Sequence, residues 1–386
     1  MSMSASSVTV LSDARVVQAN RILDPGWVAI ADGKIIDVGR GSRPGTTESL
    51  GGDLLIPGLV ELHTDHLEAH FMPRPKVAWD PVAAVVSYDA QIATSGITTV
   101  LDSLRVWKED DVEDGGGEAR RLSEAIATAR DAGMLRIDHF LHLRCEVPMP
   151  HVVSEAAELI GLPEVRLLSL MDHTPGQRQF RDEEKLRTYY RGKTGGLSDR
   201  ELDLMFERRR EYAAAHADKN QRALIDLART HGTPLASHDD TTIAHVGEAV
   251  DNGVAIAEFP TTVEAAKALH AAGVRVLMGA PNLVRGGSHS GNVATSDLAS
   301  LGVLDVLSSD YVPSSLLLAA FALPKTTSAI DLPAALRTVT KTPAEAVGLT
   351  DRGEIAAGKR ADLVRIHVAR DLPIVRSVWS AGRRVA

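Results

Sequence analysis

The sequence predicts an α/β protein: a TIM-type (β/α)8 barrel with a small β-sandwich domain built from both chain ends. Three observations lead there. Apolar strand candidates at 59–63, 97–102, 137–145, 165–172, 234–238, 254–258, 274–278 and 303–309 alternate with helix-length segments, the pattern of a parallel sheet with crossover helices. Residues 1–56 and 351–386 instead read as short strands and turns, each stretch too short to bury a core unaided. Finally, the barrel strands repeatedly end in His, Asp, Glu or Arg, and the carboxyl ends of barrel strands are where such folds place their chemistry.

Taken in order, the amino-terminal segment offers strands at Val8-Thr9-Val10-Leu11, Trp27-Val28-Ala29-Ile30 and Lys34-Ile35-Ile36, with Ala31-Asp32-Gly33 as a hairpin turn. The barrel is expected over 57–350. Its helices at 80–95, 117–132 and 261–272 each run into a glycine, Gly96, Gly133 and Gly273, the residue that stops a helix most readily. Residues 177–221 form one long irregularity rich in both charges, read as a helical insertion over the barrel mouth. The carboxyl end returns to strands, Ala361-Asp362-Leu363-Val364-Arg365-Ile366 and Val375-Arg376-Ser377-Val378-Trp379, with a turn at Ala381-Gly382.

Composition narrows the function classes. A chain of 386 residues with 44% hydrophobic and 24% charged residues can bury a sizeable core and exceeds the usual single domain. A net charge of −9 argues against a general nucleic-acid binder. A single cysteine, Cys145, forbids an intrachain disulfide and suits a reducing compartment. Met1 to Val10 lacks a secretory pattern, and no apolar run approaches the ~20 residues of a membrane span. The expected location is cytoplasmic, without membrane contact.

The chemistry gathers at the strand ends. In Ile56-Pro57-Gly58-Leu59-Val60-Glu61-Leu62-His63-Thr64-Asp65 an apolar strand ends in two residues that share one face, His63 and Asp65, both competent metal ligands. Later strands end at Asp102, at Arg144 and Glu146, at Asp172 and His173, at His238, Asp239 and Asp240, at Glu258, and at Asp310. One such residue is an ordinary cap or satisfied core group; so many on one barrel point to a metal site. Two divalent ions about 3.5–4 Å apart need a bridging carboxylate. Glu146 is the expected bridge, with His63, Asp65, His173 and His238 as terminal ligands. No lysine ends the third or fourth strand to replace it. Asp310 is the expected proton acceptor and a further metal contact. His66 and His70 read as surface residues.

Pro57-Gly58-Leu59-Val60-Glu61-Leu62-His63-Thr64-Asp65, the eight β/α units, Ser309-Asp310 and the closing Gly353-Glu354-Ile355-Ala356-Ala357-Gly358-Lys359-Arg360-Ala361-Asp362-Leu363-Val364 resemble the amidohydrolase superfamily. The resemblance implies a metal-dependent barrel enzyme beside a small β domain, with divalent metal, zinc by preference, at one or two ions per chain. The usual first-strand motif there is His-x-His; here Asp65 takes the second place.

Leu143-Arg144-Cys145-Glu146, Met171-Asp172-His173-Thr174-Pro175-Gly176-Gln177 and Pro281-Asn282-Leu283-Val284-Arg285-Gly286-Gly287-Ser288-His289-Ser290-Gly291-Asn292 are similar to the phosphonate-metabolism members of that superfamily, in the carbon–phosphorus lyase pathway. That likeness implies hydrolysis of a phosphonate-bearing sugar 5-triphosphate to the 5-phosphate and pyrophosphate. So anionic a substrate needs donors. The run from Arg285 to Asn292 supplies an arginine fork, the hydroxyls of Ser288 and Ser290, the His289 imidazole, and glycines that let backbone N–H groups approach. Arg144 and Arg178 rank with Arg285 as further anion-binding candidates, ahead of Arg74, Lys76, Arg105 and Lys193. The expected partner is thus a small anionic sugar triphosphate; a homodimer is compatible with the reading. A deacylase or cyclic-amide hydrolase on the same metal machinery is the alternative, and a non-catalytic barrel the third.

Overall fold

The computed structural model describes residues 8–386 apart from 44, 75–76, 107–116, 181–182, 194–196 and 289–290. The amino-terminal strands are β1 (Thr9–Val17), β2 (Ile22–Ala31), β3 (Lys34–Arg40), β4 (Glu48–Ser49) and β5 (Leu54–Pro57). β2 and β3 meet at the expected turn, where Asp32 and Gly33 take φ of 49° and 76°, the left-handed pair a two-residue hairpin needs.

The barrel strands are β6 (Leu59–Thr64), β7 (Ile97–Val106), β8 (Asp138–Glu146), β9 (Val165–Met171), β10 (Leu235–His238), β11 (Ile256–Glu258), β12 (Arg275–Gly279) and β13 (Val306–Ser308). They pair in sequence order, all in parallel. All eight expected strands are present. β7 runs on past its expected end because its ladder with β8 continues from Thr99↔Asp138 to Val106↔Cys145, whereas β13 keeps only three residues. First and last strands meet at their carboxyl ends: Thr64 bridges Asp310, Asp65 N–H donates to Asp310 O at 3.0 Å, and Asp310 N–H to His63 O at 3.1 Å.

The carboxyl end adds β14 (Leu363–Ala369), β15 (Leu372–Ser380) and β16 (Arg383–Arg384). β14 pairs antiparallel with β5, so both chain ends share one sheet around a core that includes Leu11, Val28, Ile35, Leu55, Leu363 and Trp379. β5 belongs to this sheet and β6 to the barrel, with Gly58 between them. A Cβ there would lie 2.0 Å from Thr98 Oγ1, so only glycine lets the chain cross so close to β7.

The expected helices form over Pro81–Thr94, Glu118–Asp131 and Val263–Ala271. Asp80 caps the first through a 2.8 Å bond from Ala83 N–H, and Pro81 occupies the first turn, where its missing N–H is harmless. Gly96, Gly133 and Gly273 follow with φ of 90°, 67° and 82°. The charged irregularity is helical: Glu183–Lys193, then a 33-residue helix over Asp199–His231 opened by a Ser198/Glu201 capping box.

Candidate active site

β6 delivers His63 and Asp65 to the barrel mouth, β8 Arg144 and Glu146, the turn after β9 His173, β10 His238, and the segment after β13 Asp310. All seven line a single cavity of about 520 Å³, together with Arg285, Ser288 and Asn292. Arg178 is not among the lining residues. Its guanidinium donates to His238 O at 3.0 Å and Asp240 Oδ1 at 3.1 Å, so it braces the strand end. His289, Ser290 and Lys76, and the side chain of Lys193, lie outside the described residues.

Three strand-end residues facing this cavity hold left-handed backbone without being glycine: Asp239, Phe259 and Asp310, at φ 57°, 54° and 54°. Such strain persists where surrounding structure fixes it, commonly at functional sites.

Each imidazole is oriented by a carboxylate. His63 Nδ1 lies 2.8 Å from Glu258 Oε1, His238 Nδ1 2.7 Å from Asp239 Oδ2, and His173 Nδ1 2.6 Å from Glu146 Oε2. The other oxygen of Glu146 accepts His173 N–H at 2.7 Å. Burial would raise the Glu146 pKa, but His173 and then Arg209 bring it down to about 2. These contacts leave each Nε2 to face the cavity, the usual way a carboxylate presents a ligating histidine. His238 Nε2 is buried and has no hydrogen-bond partner among the described residues, a nitrogen that a cation would satisfy. His173, His238 and Asp239 bring one ligand atom each within 4.8 Å of one another.

His63, His142 and Glu258 are equally close, but theirs is a closed hydrogen-bond network. Ser169 Oγ donates to Glu258 Oε2 at 2.6 Å and meets His142 Nε2 at 2.5 Å, while His142 Nδ1 sits 2.9 Å from Leu62 O. Burial drives the His142 pKa down to about 3. The free atom of this network is His63 Nε2, 4.0 Å from Asp65 Oδ1. Asp65 itself is ion-paired with Arg144 Nη1 and has Arg105 Nη2 3.5 Å from its other oxygen. Asp310 is half-buried, and desolvation, then the Asp65 charge, raises its pKa to about 6.

An amidohydrolase family model matches residues 90–386. The chain belongs to the amidohydrolase family. It is similar to alpha-D-ribose 1-methylphosphonate 5-triphosphate diphosphatase of Escherichia coli strain K12, at 46% identity over 97% of this chain and 100% of that protein. It is similar also to imidazolonepropionase of Deinococcus deserti, at 26% identity over 94% and 92%. Among solved structures, N-acetyl-D-glucosamine-6-phosphate deacetylase from Mycobacterium smegmatis superposes with a TM-score of 0.64 at 21% identity, covering 98% of this chain and 100% of that one. Molinate hydrolase gives 0.62 at 15%, covering 98% and 94%. At such identities these two establish the fold.

Amidohydrolases use divalent metals, and in this amidohydrolase the imidazoles and carboxylates above offer the ligands. Three participants were invisible to sequence reasoning. Glu61 lies inside an apolar run, yet is wholly buried and accepts N–H groups of His63 at 2.7 Å and Ser309 at 2.6 Å; burial raises its pKa to about 7. His142 lies mid-strand with no motif around it. Arg209 sits within Glu207-Arg208-Arg209-Arg210-Glu211, which reads as a solvated face.

Proposed function

We propose that this chain hydrolyses alpha-D-ribose 1-methylphosphonate 5-triphosphate to the 5-phosphate and pyrophosphate, in phosphonate breakdown. The observation that carries this is its end-to-end likeness to the Escherichia coli diphosphatase. The cavity agrees: metal-competent His63, His173, His238, Asp239 and Asp310 share it with the guanidiniums of Arg105, Arg144 and Arg285. Guanidiniums set beside metal ligands suit a polyphosphate better than a neutral amide.

Zinc is the proposed ion, one or two per chain; Glu146 would hold the His173 imidazole toward it or serve as a ligand itself. A bound divalent ion supplies Lewis acidity toward phosphoryl oxygens and acidifies a water molecule. Asp310, held beside Asp65 at the barrel seam, takes the proton as oxygen attacks the α-phosphorus. Arg285, Ser288 and Asn292 hold the departing pyrophosphate; each hydrogen bond to such a charged group contributes about 1.5–3 kcal/mol. A cytoplasmic location belongs to the same reading.

The test is a panel of sugar triphosphates, nucleoside triphosphates and N-acyl substrates, run in ¹⁸O-labelled water. The expected result is pyrophosphate from the ribose triphosphate with label in the sugar 5-phosphate. Acid release from an acyl substrate as the fastest reaction overturns the function. Label confined to pyrophosphate overturns attack at the α-phosphorus.

A further inference from the structure

The helical hairpin formed by Glu183–Lys193 and the start of Asp199–His231 carries its own small core, Leu186 and Phe206, and leans over the cavity. Of the arginines at 208–210 only Arg209 is half-buried, the others being exposed, and it lines the cavity with Tyr190 and Leu186. Arg209 Nη1 donates to Tyr190 Oη at 2.6 Å, with its guanidinium carbon 5.0 Å from the Tyr190 ring centre, a stacked cation fixed in direction.

The long helix is also pinned at the cavity floor. Asn220, buried, donates from Nδ2 to Val147 O at 2.9 Å and Met149 O at 2.8 Å, on the loop that directly follows Glu146. Asn220 and Arg209 are about three turns apart, hence on one face and about 16 Å along the axis. One rigid element therefore sets Arg209 relative to the strand end carrying Glu146. The hairpin also meets the glycine-rich loop: a Cβ at Gly291 would lie 2.6 Å from Lys185 Nζ, while Asn292 Nδ2 reaches Gln179 O, ahead of the hairpin, at 3.5 Å.

The cavity thus has two unlike walls. The hairpin contributes Arg209 with Leu186, one turn before Tyr190 on the same helix; the segment after β12 contributes Arg285, Ser288 and Asn292. Resting on the substrate assigned above, we propose that Arg209, oriented by Tyr190, binds the methylphosphonate end, while the polar wall takes the pyrophosphate. A methylphosphonate pairs an anionic head with an apolar methyl group, which suits one guanidinium set against apolar side chains; a pyrophosphate has no apolar part. Arg209 is then a specificity-determining residue and Tyr190 a positioning residue.

The test compares kcat/KM for the phosphonate-bearing triphosphate with that for ribose 5-triphosphate, on the same preparation so that a folding defect cancels. Arg209→Ala lowers this ratio about ten- to a hundred-fold, the loss of one charge-assisted contact, and Arg209→Lys restores part of it. An unchanged ratio overturns the proposal. Calorimetric binding of D-ribose 1-methylphosphonate 5-phosphate needs no turnover, and so separates this inference from the assigned reaction. Wild-type binding that Arg209→Ala loses supports the assignment even if the triphosphate is not hydrolysed; equal binding, or none by the wild type, sinks it.

Discussion

Both oxygens of Glu146 are engaged by His173, one by its N–H and one by Nδ1, so this carboxylate fixes how the imidazole faces the cavity. Replacing such a partner weakens metal binding about 10–100-fold. Glu146→Gln keeps the shape but forfeits the charge, and metal titration of the stripped variant is expected to show a loss in that range. Unchanged affinity removes Glu146 from metal binding altogether. The sequence made Glu146, His63, His173 and Asp310 legible because each ends a strand, and strand ends can be located from apolar runs. Glu61 and His142 were not legible because their partners are remote: Ser309 is 248 positions from Glu61, and Ser169 is 27 from His142.

At the scale of elements, β7, β8 and the Pro81–Thr94 helix are joined behind the site by His139. Its Nδ1 lies 2.8 Å from Asp102 Oδ2 and its Nε2 3.4 Å from Asp89 Oδ1. Burial favours the neutral ring, but the two carboxylates outweigh it and raise the pKa to about 9. The folded value lies above the unfolded one, about 6.5. Its stabilisation is therefore complete below about 6.5 and is lost as pH rises through about 9, about 3 kcal/mol in all. Urea unfolding of wild type and His139→Gln should show a stability gap that narrows between pH 7 and 10. A gap constant across that range refutes the charged imidazole. Hairpins and helix stops were readable at this scale because Asp32-Gly33, Gly96, Gly133 and Gly273 act locally. The depth of the insertion was not, since alternating charges alone do not say which arginine turns inward.

Across the whole molecule, the barrel and the end-to-end β sheet are locked by Asp138 at the start of β8. It accepts from Arg352 Nη1 at 2.7 Å and Arg360 Nη2 at 3.0 Å, two arginines on the approach to β14. Arg352 is buried and also donates to Thr99 Oγ1 at 2.9 Å. Asp138→Asn leaves that buried cation with Asp351 as its one carboxylate partner among the described residues and is expected to cost about 1–3 kcal/mol. Denaturant titration checks this, and a change near zero shows the two parts are held by packing alone. The union of the chain ends was legible from two β-rich segments each too short for a core. The arginines that hold it were not, because a surface-like run of charges between 351 and 362 gives no sign of what it meets.

The barrel closes where Asp310 accepts from Asp65 N–H and donates to His63 O, among the side chains expected to bind metal. During synthesis, His63 and Asp65 leave the ribosome early and wait for most of the barrel to follow. A chain halted before Asp310 lacks the last carboxylate and the backbone bonds that fix Asp65, so neither half of the seam is a site by itself. Completion of the His63–Asp65 side of the site is then a late event in the life of each molecule.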